Sequence, residues 1–268
     1  MKSLVLILFI SSFTLTTIAQ YSTIVFKEIT INAKYLTADQ TGNVYVVRKN
    51  NELVRFNGKG DSTATYQNSS NGDLRQVDVS NPLKPILFYP SFSKLVMLDR
   101  IFSVKNEINL HDAQIQNATV VAQSIQNRIW IYDAYQTKLK LLDEQINVVM
   151  QTGDLRQELQ TTPNISCIVE ADWKVLLCDS LKGIFVFDFA GNYINTISIF
   201  AKSIRTIGAQ IQYIQNDTLF SWDKFKLNQP LLALPKRKEK IIDAIINENR
   251  LLVLYDNKLI LYDILMVK

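Results

Sequence analysis

The chain has one histidine, two cysteines, eight glycines and six prolines in 268 residues. His111 stands alone, and Cys167 and Cys178 make no Cys-x-x-Cys, so no spacing suits a zinc site. No Gly-x-Ser-x-Gly turn, phosphate loop or dinucleotide fingerprint occurs. A metal and a cofactor are therefore not expected, and nucleophilic catalysis has only His111 as an imidazole base. That residue falls in a polar connector and reads as a surface histidine. Beyond the first twenty residues, no stretch approaches the roughly 18 apolar residues that a membrane span needs. Helical periodicity never persists over ten residues there. An excess of one charge is also missing, which argues against nucleic acid as a partner.

The N-terminus is of another kind. Lys2 precedes the apolar run LVLILFI, and Thr17-Ile18-Ala19 sets small residues before Gln20. This reads as a secretory signal over residues 1–19, cleaved to leave one domain over 20–268. The run is short and broken by Ser11, Ser12 and Thr14, unlike a membrane anchor, and no cysteine follows it for lipidation. Lys2 is the signal's one charge, so the mature chain keeps 28 basic and 25 acidic side chains, a net of +3. The expected location is the periplasm or the cell surface.

What the chain has is repetition. Short apolar runs begin at Asn43 (NVYVV), Pro85 (PILFY), Arg128 (RIWIYD), Lys174 (KVLLCD), Thr218 (TLFSWD) and Arg250 (RLLVLYD), separated by 42, 43, 46, 44 and 32 residues. A second run follows most of them: ELVRF, KLVMLD, KLKLLD, GIFVFD and KLILYD. The fifth unit lacks a clean copy, with KFKLNQPLLAL in its place. These runs have the length and the Val, Ile, Phe and Tyr content of strands, and turn residues bound them. With a strand before and after each pair, the unit is about four strands in 43 residues. One such sheet cannot bury both its faces, whereas sheets stacked around a ring can. The expected fold is all-β, a six-bladed β-propeller of four-stranded antiparallel blades. The sixth unit runs out after KLILYD, and STIVFKEITIN (22–32) belongs to no repeat. It is expected to supply the outermost strand of blade six, since an open ring would leave unpaired sheet edges.

The stretch YLTADQTGNVYVVRKNNELVRFNGKG (35–60) resembles an NHL-type repeat in its Asp-x-x-Gly-Asn-aliphatic-Tyr-Val hairpin. The whole mature chain is similar to secreted bacterial six-bladed propellers of that class. The resemblance implies the fold, and the class includes binding scaffolds and a few enzymes. Blades two to six lack the Gly-Asn turn.

Aspartates close many of the runs: Asp133, Asp179, Asp223 and Asp256 the first, and Asp99, Asp143, Asp188 and Asp263 the second. Asx turns explain them better than a ring of carboxylates does. Asp78, Glu170 and Asp243 fall in the strands placed innermost, where carboxylates could meet. The phrase GDLRQ occurs at Gly72 and again at Gly153, and IRTIGAQ starts at Ile204. Arg75, Arg156 and Arg205 are thereby expected in connectors of one face, either as an anion-binding mouth or as braces. The dense basic run at 236–240 reads as a solvated connector. Cys167 and Cys178 come opposite each other if the chain folds back at Asp172-Trp173, as a disulfide or as two buried thiols. The expected function is a monomeric, non-enzymatic scaffold in the envelope, binding a protein, peptide or glycan. The competing reading is a propeller enzyme of the lyase, lactonase or cyclotransferase kind.

Overall fold

The computed structural model describes residues 21–207, 210–225, 227–247 and 249–266. The secretory signal expected at 1–19 lies outside the described residues. Six antiparallel sheets of four strands follow one another in chain order, each with its first strand innermost. Blade one is Ala33–Ala38, Val44–Arg48, Leu53–Phe56 and Ser62–Tyr66, and blade two is Gln76–Asp78, Ile86–Tyr89, Lys94–Leu98 and Val104–Asn109. Blade three is Ala118–Gln123, Ile129–Asp133, Lys138–Leu142 and Val148–Gln151. Blade four is Ile165–Ala171, Lys174–Asp179, Gly183–Asp188 and Tyr193–Ile197.

The apolar runs are continuous because the inner strands are buried on both faces. Successive residues serve different neighbours, since strand side chains alternate. Tyr45 and Val47 face blade two, whereas Val44 and Val46 face blade six. Trp130 and Tyr132 face blade four, whereas Ile129 and Ile131 face blade two. The buried apolar side chains form six clusters, one between each pair of consecutive blades. The last joins blade six to blade one and closes the ring. As expected, the N-terminal strand Tyr21–Thr30 completes blade six, pairing antiparallel with Lys258–Met266 outside Ile241–Asn247 and Arg250–Tyr255.

Blade five corrects the sequence alignment. Its strands are Arg205–Ile207, Gln210–Gln215, Thr218–Asp223 and Leu227–Ala233. TLFSWD is thus the third strand and not the second, which accounts for the short spacing to Arg250. The physical cause is a weak signal. The innermost strand has three residues, and in the second only Ile211 and Tyr213 are buried apolar residues. Arg205 accordingly opens a strand and does not lie in a connector.

All innermost strands run the same way along the channel. Their hairpins to the second strands, and those joining third to fourth strands, form one face of the disc. The opposite face carries the blade-to-blade connectors and the turns between second and third strands.

Candidate functional site

The strand-end aspartates make turns. Asp99 accepts the amides of Ile101 and Ser103 at 2.9 Å each, Asp143 those of Gln145 and Asn147, and Asp179 that of Leu181. The Ser103 amide holds the Asp99 carboxyl below its usual range, and the Asn147 amide does the same for Asp143. Asp263 departs from the pattern. It lies within the strand Lys258–Met266 and pairs with Arg250 at 2.8 Å.

The three arginines do not converge. Arg75 and Arg156 precede innermost strands on the connector face, and both are exposed. Arg156 forks onto Asp154, the N-cap of its own short helix, Leu155–Glu158, at 2.5–3.1 Å. Arg205 lies at the other mouth. It is half-buried and donates to the Ile246 carbonyl at 2.6 Å and the Ala38 carbonyl at 3.3 Å, where the innermost strands of blades six and one end. Desolvation lowers its pKa.

That contact belongs to a general device. Each innermost strand presents an unpaired backbone edge to the channel, and polar groups there need partners. Neighbouring blades supply them. The Gln76 side-chain amide donates to the Val121 carbonyl at 2.6 Å and accepts from the Val121 amide at 3.3 Å. Asp78 accepts from the Gln123 amide at 2.8 Å. Glu170 accepts from the Ile125 amide at 3.0 Å and the Trp130 indole at 2.5 Å. Two of the three channel carboxylates thus brace the wall. Asp243 differs: among the described residues its carboxylate accepts only from the adjacent Ala244 amide at 2.8 Å, and burial pushes its pKa up to about 7. Burial, with Asp243 and Asp78 nearby, also raises the Tyr35 phenol, which donates to the Val77 carbonyl at 3.1 Å.

Cys167 and Cys178 are register partners in blade four, 5.1 Å apart at Cα and joined as a disulfide. Their hairpin turns at Asp172 and Trp173, with φ of 49° and 58°. Such turns favour Asn-Gly, because both central residues need positive φ. A tryptophan there is uncommon, and its side chain is 70% exposed. The Trp173 ring stands edge-on to Phe189 at 5.6 Å, and Phe189 stacks on the buried Trp130 at 6.2 Å. Glu170, by binding both Trp130 and the Ile125 amide, fixes the adjacent loop of blade three, from which Ile125 projects. Trp173 is therefore held out from a rigid base.

Further exposed apolar side chains share this hairpin face: Leu83, Ile101 and Phe225. An Asx side chain two residues earlier binds each one's amide, Asn81 at 3.1 Å, Asp99 at 2.9 Å and Asp223 at 2.8 Å. The sequence reading recognised the aspartates and missed what they hold out. The signal was present as an apolar residue at the second position after the turn residue. His111 sits at the rim of the connector face, exposed, in the turn Leu110–Ala113. Among the described residues, no group of three His, Cys, Asp or Glu side chains could hold a metal.

No protein-family pattern and no curated protein matches the chain in sequence. Solved structures match it in fold. A catalytically inactive virginiamycin B lyase from Staphylococcus aureus, in complex with quinupristin, superposes with a TM-score of 0.61 at 9% identity, covering 91% of this chain and 99% of that one. BamB from Moraxella catarrhalis gives 0.53 at 11%, covering 90% and 100%. The Pan2 WD40 domain of Neurospora crassa gives 0.58 at 11%, covering 90% and 95%. Identity this low carries the architecture alone: the chain is a six-bladed β-propeller, similar in fold to lyase, BamB and WD40 structures.

Proposed function

We propose that this chain is an exported, non-enzymatic β-propeller that acts as an interaction scaffold in the cell envelope, and that the hairpin face is its working face. The observation that carries the reading is Trp173, exposed at the tip of a turn whose backbone disfavours it and backed by Phe189 and Trp130. Strained, exposed aromatic residues on rigid supports are typical of binding sites.

The enzymatic alternative draws on the fold shared with a lyase, whose inactive form replaces a histidine by alanine. Here the sole histidine is at the rim of the opposite face, and Asp78 and Glu170 are committed to backbone amides. These placements favour binding over catalysis.

The test is capture from envelope extract by the mature protein, 20–268, run beside Trp173→Ala. A component retained by the first and lost by the second supports the hairpin face. Equal retention by both would overturn it.

A further inference from the structure

The chemistry of the hairpin face names a kind of partner. Each of four exposed apolar tips has a basic neighbour in sequence: Leu83–Lys84, Arg100–Ile101, Trp173–Lys174 and Lys224–Phe225. They come from blades two, four and five. The four basic side chains are exposed, and none makes an ion pair with an acidic side chain among the described residues. Lys224 instead lies over its own neighbour's ring, 4.9 Å from the Phe225 centroid. Asp172, beside Trp173, is an exposed acid, whereas other acids of this face are occupied. Asp99 and Asp223 bind turn amides beneath the tips they hold out, and Asp143 and Asp188 do the same in blades three and four. The cations are thus free while much of the negative charge is turned inward.

We propose that this face docks on an anionic lipid bilayer, with Leu83, Ile101, Trp173 and Phe225 entering at headgroup depth and their basic neighbours meeting lipid phosphates. The proposal rests on the reading of the hairpin face as the working face. A protein partner needs a contiguous, water-free core of contact. Four tips on separate loops, with polar turns between them, do not make one. A bilayer accepts isolated side chains independently, and Trp and Phe are favoured at its interface. Each basic group near an anionic surface adds attraction that salt screens. The partner is then a lipid surface, in place of the protein, peptide or glycan expected from sequence.

The experiment is co-sedimentation of the mature protein with vesicles of phosphatidylcholine, with and without phosphatidylglycerol. The proposal expects binding to the mixed vesicles at low salt, loss of binding at high salt, and little binding to phosphatidylcholine alone. The double variant Trp173→Ala/Phe225→Ala should weaken partitioning by about tenfold or more, because two inserted apolar side chains are lost. Both residues are exposed tips, and a melting curve checks that the variant is folded. Tyr135→Ala/Leu181→Ala, on the opposite face, should leave partitioning unchanged. No binding to any vesicle overturns the lipid proposal, and so does equal loss in the two double variants. If vesicles fail while Trp173→Ala still abolishes capture from envelope extract, the face is right and its partner is not lipid. If both fail, the choice of face is wrong.

Discussion

The two faces of the disc use one turn for different ends. On the connector face the pattern is Asp-small-apolar: Asp133-Ala134-Tyr135 and Asp179-Ser180-Leu181, each aspartate binding the amide two residues on at 3.2 and 2.9 Å. On the hairpin face two turns are Asp-basic-apolar, Asp99-Arg100-Ile101 and Asp223-Lys224-Phe225, while Asp143-Glu144-Gln145 and Asp188-Phe189-Ala190 differ. The basic groups differ in company too. Lys34, Arg48, Lys94, Arg156 and Lys258 of the connector face pair with Asp73, Glu52, Glu107, Asp154 and Glu239. Lys140, behind the Tyr135 turn, is buried against Asp133 at 2.9 Å. Lys236, Lys238 and Lys240 are exposed at its rim, and in the same run Arg237 is tied to Glu28. Charge on one face mainly braces connectors; on the other, Lys27, Lys105 and Arg250 pair with Asp61, Asp99 and Asp263, and the four cations beside the apolar tips have no acidic partner among the described residues. The same backbone motif can therefore be structural or functional according to the residue in its middle.

The largest effect should come from breaking the ring on which both faces depend. Deleting residues 20–32 exposes the edge of Lys258–Met266 and removes Ile29 and Ile31 from the cluster between blades six and one. Thermal unfolding should fall by at least ~10 °C or lose its cooperativity. An unchanged transition would show that closure does not rest on this strand.

Next comes a change confined to the connector side. Lys140→Met leaves the Asp133 carboxylate buried without its cation, which should cost about 3–5 kcal/mol by denaturant titration. Binding through the hairpin face should survive in the folded fraction. Loss of binding at unchanged stability would mean that the connector side does more than brace.

A third test separates braced carboxyls from the unbraced one. Folded Asp243 keeps its proton up to about pH 7, against an ordinary value of 3.8. Between these values the folded state binds more protons than the unfolded chain does, so stability falls as pH rises through the window and then levels off. Asp99 and Asp143, held below the usual range, act the other way and at lower pH. From pH 5 to 8 the wild type should therefore lose melting temperature, and Asp243→Asn should stay nearly flat. Parallel curves would show that Asp243 is not desolvated in the channel.

The smallest effect on stability should be at the tip itself. Trp173→Gly relieves the left-handed backbone by about 1–2 kcal/mol and gives up a ring contact with Phe189 of about 0.5–1.5 kcal/mol. The melting temperature should barely move while binding is lost.

Much of this architecture was readable from the residues. RIWIYD, KVLLCD and NVYVV recur because every inner strand packs against two blades, and the orphan run 22–32 had to close the ring. Blade five was misread because RTI and QIQYIQ bury little and so do not look like core strands. Arg205 was misplaced with them, since its neighbours along the channel are more than forty residues away in sequence. The working face was invisible for another reason. The aspartates repeat and so stand out in the sequence, whereas the exposed residues at the turn tips vary from blade to blade.

The most direct measurement is oxidative footprinting of the mature protein with and without envelope membranes, read by mass spectrometry. The account predicts protection of Trp173, Phe225 and Ile101, with Tyr135 and Leu181 unchanged. Protection confined to Tyr135 and Leu181 would contradict it.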